Sequence, residues 1–307
     1  MFIKSFFEQV FFSPKWYHYV YIMGFFPFSL IYGMGMWLRR KFAKTVCYKT
    51  PIISVGNLIV GGSGKTPFVI NLASKYSNVA IISRGYGRQS KGLVEVSRQG
   101  KILVDVKKSG DEPMLMARSL PKATVVVSED RDKAIDFVEK RGVNIIILDD
   151  GFNKVKIDKY DILLEPEKIR NHYAFPSGPF REFFSTRKQA DIIAREEKEF
   201  TRKVTIEDAT DRMILVTAIS NPKRLDKYLP SNVVQKYYYA DHAYFNEKEL
   251  RNLLKINHAN SILCTSKDRV KMDGFKLPIS EMKLELEIQN EIFTHIDEYI
   301  EGYDCEK

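Results

Sequence analysis

Residues 51–67, PIISVGNLIVGGSGKTP, constrain the fold and chemistry of this chain more than any other stretch. An apolar run (Pro51–Val55) leads into a loop of small residues and then into a helical pattern. Small residues at 61–64 allow backbone N–H groups to close around a polyphosphate at a helix N-terminus, where the dipole also favours anions. Gly61, Gly62, Ser63, Gly64 and Pro67 would then shape the cradle, Lys65 would reach the β- and γ-phosphates, and the Thr66 hydroxyl would ligate Mg2+. Pro67 fits because the first helical turn has no intrahelical acceptor for the N–H that proline lacks. The usual pattern G-x-x-x-x-G-K-[ST] asks for Gly at position 59, where the chain has Ile59. G-G-S-G-K-T between strand and helix nevertheless implies ATP or GTP.

Beyond residue 45, short apolar runs alternate with helical stretches. Strands are expected at Pro51–Val55, Asn78–Ser83, Ala123–Ser128, Asn144–Leu148, Asp161–Leu164, Asp191–Ala194, Met213–Ala218 and Ser261–Thr265. Most are continuous apolar runs, which suits strands covered on both faces of a parallel sheet. Helical patterns at Thr66–Tyr76, Glu112–Ser119 and Arg131–Lys140 complete βαβ units, so the fold class is α/β, a P-loop type of mostly parallel sheet with helices on both faces. Leu93–Val106, two alternating runs about Gly100, reads as an antiparallel hairpin beside that sheet. The units grow shorter and more charged near residue 216. This places a core at 45–215 and a smaller α/β domain at 216–307, behind an N-terminal segment at 1–44.

A nucleotide site also needs an acidic residue at the end of an apolar strand to hold Mg2+ or its waters. Asn144–Leu148 runs into Asp149 and Asp150, which supply two. Asp111 and Glu112 open a helix, where they serve equally well as caps or dipole partners. His242, in a loop between a strand-like and a helical stretch, reads by itself as structural or solvated.

The 307 residues suffice for about two domains, and 44% hydrophobic with 28% charged residues excludes wholesale disorder and a polytopic membrane protein. The net charge of +9 raises the question of nucleic acid. Residues 1–50, however, carry seven basic residues against Glu8 alone, so most of the excess belongs to one terminus and no nucleic-acid partner is expected. That terminus holds Trp16–Leu38, 23 residues without a charge, followed by Arg39, Arg40, Lys41 and Lys44. As a helix it is about 34 Å long, enough to cross a hydrocarbon core of about 30 Å. Pro27, Gly24, Gly33 and Gly35 invite a kink, so a bent helix lying in the leaflet fits as well as a span. A signal peptide would carry its basic residues before the apolar run, and a buried helix of a soluble domain is the other competitor. The basic flank favours a membrane surface with anionic headgroups. Cys47, Cys264 and Cys305 are odd in number, scattered and without metal spacing, which points to a reducing compartment and excludes a zinc framework.

The motifs together carry a resemblance. Gly56-Asn57-Leu58 with the phosphate loop, Ser83-Arg84-Gly85-Tyr86-Gly87, Gly110-Asp111-Glu112-Pro113, Ser128-Glu129-Asp130-Arg131, Asp149-Asp150-Gly151-Phe152, Pro176–Glu182, Asp241-His242 and Thr265-Ser266-Lys267-Asp268 occur in order, and the set resembles the tetraacyldisaccharide 4'-kinase family. The resemblance implies an enzyme on the cytoplasmic face of the bacterial inner membrane. Such an enzyme transfers the γ-phosphoryl group of ATP, with Mg2+, to the 4'-hydroxyl of a tetraacylated glucosamine disaccharide 1-phosphate, the lipid A precursor. It further implies a catalytic pair at Asp111 and His242 with Lys65, and metal roles for Thr66, Asp149, Asp150 and Glu112. The family often reads D-D-G-F-Q-H, whereas this chain has Asn153 and Lys154 after Phe152, so an acid-base role for that histidine does not transfer. The rival reading is a membrane-associated P-loop ATPase or GTPase switch. Its deviant loop carries a Lys before Gly-Gly, where this chain has Val60. A soluble sugar kinase would leave the apolar segment unexplained.

Overall fold

The computed structural model describes residues 2–60, 64–166 and 168–305. In chain order the helices are α1 (Phe2–Phe12), α2 (His18–Lys41), α3 (Lys65–Ser74), α4 (Val106–Ser109), α5 (Asp111–Ser119), α6 (Arg131–Glu139), α7 (Glu247–Ile256), α8 (Ser266–Arg269) and α9 (Asn290–Glu301). The strands are β1 (Ile52–Gly56), β2 (Val79–Ser83), β3 (Val94–Arg98), β4 (Lys101–Ile102), β5 (Thr124–Val127), β6 (Ile145–Asp149), β7 (Tyr160–Glu165), β8 (Ile192–Arg195), β9 (Phe200–Glu207), β10 (Met213–Thr217), β11 (Val233–Tyr238), β12 (Ser261–Thr265) and β13 (Ile279–Ile288). Eight strands form one sheet in the order β4-β3-β5-β2-β6-β1-β7-β8, and five form a second in the order β11-β10-β12-β13-β9. All eight expected strands are present within a residue or two of their expected bounds.

Two compact units make up the chain, each assembled from separated segments: residues 1–65, 147–201 and 288–307 in one, and 66–146 and 202–287 in the other. In the first unit β1 pairs in parallel with β7, and β7 with β8. Every residue of β1 is buried, as its apolar run requires. Leu58, Ile59, Phe152, Leu163 and Phe180 pack into one cluster at the end of this strand set. The C-terminal helix α9 returns to β1: Tyr299 donates to the Ile52 carbonyl at 3.3 Å, and Tyr303 to the Tyr48 carbonyl at 2.7 Å. That return brings Cys305 to Cys47, and the two form a disulfide with their Cα atoms 5.8 Å apart. The sequence reading of three separate thiols is therefore corrected. The pair is 258 residues apart in sequence, and only the docking of α9 makes it visible. Cys264 remains a free, buried thiol.

α2 begins two residues after Trp16 and continues through Pro27 to Lys41. It is long and apolar enough to cross a membrane, with little of its surface buried. Val20, Met23, Phe28, Ile31 and Met34 are exposed along it. Ile22 packs instead on Val10 and Phe11 of α1, a helix not anticipated from the sequence.

In the second unit β2 pairs in parallel with β5, and β10 with both β11 and β12. The expected hairpin is present as β3 and β4, but its second arm is only two residues long. The chain leaves the ladder because the Asp105 side chain accepts from the Lys108 N–H and caps α4. β3 pairs antiparallel with β5, so the hairpin extends the sheet itself. β9 and β13 were not anticipated. Both alternate charged and apolar residues, which gives them one exposed and one covered face instead of an apolar run.

Truncating the core separates buried from exposed positions. Ile81→Ala, at a fully buried site in β2, should cost about 2–5 kcal/mol in urea unfolding, whereas Ile102→Ala on β4, 38% exposed, should cost well under that. Equal losses would contradict the assignment of β2 to the interior.

Candidate active site

The end of β1 and the end of β6 supply the first group of polar residues. Asn57 follows β1 and is 4% exposed. Its side-chain oxygen accepts from Lys65 Nζ at 3.1 Å, and the same amine lies 3.4 Å from Asp150 Oδ1. Arg181 reaches Asp150 from the other side, Nη1 to Oδ2 at 3.2 Å. Burial works to raise the Asp150 pKa, but the charges of Lys65 and Arg181 outweigh it and hold the carboxyl below its ordinary value. Asp150 has φ of +56°, a left-handed conformation that aspartate tolerates better than most residues. Asp149, the last residue of β6, is buried. A Cβ at Gly56 would sit 2.5 Å from the Phe152 Cβ, so only glycine lets the Asp150–Phe152 turn close against β1.

The phosphate-loop residues divide. Gly61, Gly62 and Ser63 lie outside the described residues. Gly64 has φ of +80°, and Lys65, Thr66 and Pro67 form the first turn of α3, as expected. Leading into the loop, Leu58–Val60 runs beside Pro179–Arg181. The Arg181 N–H donates to the Leu58 carbonyl at 2.7 Å and the Val60 N–H to the Pro179 carbonyl at 2.9 Å.

Within the second unit, Asp111, Glu112 and His242 come together. His242 Nδ1 lies 2.9 Å and 3.1 Å from the two Asp111 carboxylate oxygens. A carboxylate can only accept, so Nδ1 carries the proton, and in the neutral ring Nε2 presents its lone pair. Asp111 also accepts from the Glu112 N–H at 3.0 Å, but the N-cap of α5 is Gly110 and carries no side-chain cap, so the two acids sit in the first turn as dipole partners and not as caps. Lys267 Nζ stands 3.0 Å from Glu112 Oε1 and 3.7 Å from Asp111 Oδ2. Lys271 Nζ lies 3.9 Å from that oxygen and 2.9 Å from Asp268 Oδ1. Asp268, fully buried, accepts from the Thr217 hydroxyl at 2.7 Å and the Ala218 N–H at 3.1 Å. The Ala218 carbonyl in turn accepts from the His242 N–H at 3.0 Å, fixing a histidine whose φ is +61°. The Tyr86 ring lies 5.1 Å from the imidazole.

The Asp111 hydrogen bond raises the His242 pKa against the opposing effects of burial and Lys267. For Asp111, burial pulls upward, and the His242 hydrogen bond with the charges of Lys267, His242 and Lys271 brings it below the ordinary value. The pair is thus set up as an anion orienting an imidazole. Sequence reasoning reached Asp111 and His242 only through the resemblance. It did not assign Asn57 or Lys267, although both lie in quoted motifs, because nothing in their spacing tells which carboxylate or amine they face.

Among the described residues no three His, Cys, Asp or Glu side chains gather as a self-sufficient metal site. Asp149, Asp150 and Thr66 are hard oxygen donors of the kind Mg2+ takes, and such sites draw their remaining ligands from phosphate and water. The donor set therefore fits Mg2+ bound together with a nucleotide.

Strand β1, helix α3 with a lysine at its first position, and the acids Asp149 and Asp150 at the end of β6 define a P-loop phosphotransferase class of α/β protein. The sequence profile of the family described as LpxK, tetraacyldisaccharide-1-P 4'-kinase, matches residues 22–301. The chain belongs to that family. It is 46% identical to the tetraacyldisaccharide 4'-kinase of Helicobacter pylori strain J99, over 98% of this chain and 97% of that protein. To the enzyme of the same name from Aliarcobacter butzleri it is 43% identical, over 96% and 97%. The crystal structure of LpxK from Aquifex aeolicus, an "apo" form in complex with ATP, superposes with a TM-score of 0.75 at 28% identity, covering 91% of this chain and 99% of that one.

The imidazole must be neutral to accept a proton, so activity should rise with pH through the His242 pKa. Because Asp111 raises that value, the acidic limb of kcat/KM should lie above the ordinary imidazole value of about 6.5. In Asp111→Asn the limb should move down while kcat falls. A limb unmoved by Asp111→Asn and still present in His242→Ala would remove this pair as the base.

Proposed function

We propose that the protein transfers the γ-phosphoryl group of ATP to the 4'-hydroxyl of a tetraacylated glucosamine disaccharide 1-phosphate, and that it works at the cytoplasmic face of the bacterial inner membrane. Family membership supports the reaction, and the Asp111–His242 hydrogen bond of 2.9 Å is the observation that carries the mechanism. A sugar hydroxyl is a weak nucleophile at neutral pH, and a positioned base contributes about 10²–10⁴-fold. His242 Nε2 takes the hydroxyl proton while Asp111 holds Nδ1–H and stabilises the imidazolium that forms. Lys65 and the N-terminal turn of α3 bind the phosphates and offset the charge that develops on them. Thr66, Asp149 and Asp150 would hold Mg2+ together with the nucleotide, where the ion would supply further charge neutralisation. Lys65 and Arg181 keep Asp150 ionised for that task. Glu112, carried with the metal set by the resemblance, is held by Lys267 beside Asp111.

The exposed apolar side chains of α2, with Lys41 and Lys44 exposed near its end, support seating in an anionic membrane surface. An acceptor with four acyl chains is itself a membrane component, so kinase and acceptor share one phase.

The decisive experiment incubates purified protein with γ-labelled ATP and the disaccharide 1-phosphate in mixed micelles. Label should appear in the lipid, and Lys65→Ala should lower the rate by about 10²-fold or more with the fold intact by circular dichroism. Release of labelled phosphate without labelled lipid would identify a hydrolysing switch instead.

A further inference from the structure

The basic residues after the apolar segment are not alike. Lys41 and Lys44 are exposed, whereas the Arg40 side chain is only 12% exposed and points into protein. Its guanidinium forms a two-pronged ion pair with Glu182, Nε to Oε2 at 2.9 Å and Nη2 to Oε1 at 3.1 Å. Nη2 also donates to the Phe152 carbonyl at 3.2 Å, and the guanidinium lies 4.6 Å above the Phe152 ring. Arg39 donates to the next carbonyl, that of Asn153, at 2.6 Å. Glu182 is 2% exposed, so it meets a cation here or stays buried without one.

Both partners of Arg40 touch the phosphate site. Phe152 follows Asp149, Asp150 and Gly151, and its Cβ closes on Gly56 at the end of β1. Glu182 follows Arg181, whose side chain holds Asp150 and whose N–H holds Leu58. We infer that Arg40 is a positioning residue of the nucleotide site: clamping Glu182 and Phe152, it fixes the two segments that present Asp150 and the approach to the phosphate loop, so that the end of the membrane helix is part of the catalytic scaffold. The inference rests on the reading of Lys65 and Asp150 as nucleotide-site residues. A charge kept for headgroups would stay in water, as Lys41 and Lys44 do. A planar fork matched to a buried carboxylate serves structure.

The test measures two properties on the full chain: affinity for a fluorescent ATP analogue with Mg2+ in detergent, and flotation with vesicles of phosphatidylethanolamine and phosphatidylglycerol. Arg40→Met should weaken nucleotide binding and lower kcat/KM for ATP by about 10–100-fold, the usual range for outer-shell support, with flotation unchanged. Glu182→Gln should do the same, and the double variant should lose little more than the worse single. Lys41→Met with Lys44→Met should give the reverse, weaker flotation with wild-type nucleotide affinity. If Arg40→Met fails to fold, the double variant, which buries no unpaired charge, is read in its place. Wild-type nucleotide affinity in Arg40→Met or in the double variant overturns the inference, as do additive losses in the singles. Lys65→Ala separates this from failure of the site itself: if it too leaves nucleotide affinity unchanged, the nucleotide-site reading falls. If it abolishes binding while Arg40→Met does not, only the Arg40 role falls. Truncation at residue 44 would remove anchor and clamp together, so point substitutions are required.

Discussion

Parallel pairing of buried strands is the constraint on which the structure depends. A strand covered on both faces has no room for unpaired polar groups, so its backbone is spent on the ladder and its side chains on the core. Chemistry is left to the chain just beyond the strand ends. β1 ends in Gly56 and Asn57, β6 in Asp149 and Asp150, β10 in the Ala218 that fixes His242, and β12 in the turn that carries Lys267 and Asp268. Asn57, Asp149, Asp150, Lys267 and Asp268 each lie just past an apolar run, and Lys65, Asp111, Glu112 and His242 are held by residues that do.

Charges withdrawn from water in this protein come with partners. Asp268 is fully buried and meets a hydroxyl, an N–H and the Lys271 amine. Asp111 meets an imidazole and two amines at longer range, and Glu182 meets a guanidinium. Losing one member of such a set leaves a buried charge, which costs stability even where the residue touches no substrate. The same pairing sets the protonation states that the proposed mechanism calls for: Asp111 and Asp150 are kept as anions by neighbouring cations.

Much of this was legible in the sequence where a residue pattern has one physical meaning. Continuous apolar runs pointed to covered strands, and Gly-rich residues ahead of Lys65 and Thr66 pointed to a phosphate loop. β13, ISEMKLELEI, was illegible by that rule, since alternation with charges describes an exposed face as well as a strand. Arg40 was misleading for a related reason: a basic residue after an apolar helix has an obvious place at a headgroup, and only coordinates reveal a buried Glu182 142 residues away in sequence. Cys47 and Cys305 were read as separate because spacing says nothing about where a C-terminal helix docks. Asp111 and His242 lie 131 residues apart and were joined by resemblance, not by any local signal.

The left-handed backbone at Asp150 and His242 narrows what evolution or an experimenter can put there. Residues that visit this conformation readily are glycine, asparagine, aspartate and histidine, so both positions are filtered by shape before chemistry has any say. β-Branched side chains are excluded at either position for steric reasons alone. Alanine keeps a Cβ against the preceding carbonyl, whereas glycine removes side chain and steric conflict together and leaves an imidazole-sized gap beside Asp111. Position 242 is therefore suited to chemical complementation, in which free imidazole from solution fills the gap and supplies the proton acceptor proposed there.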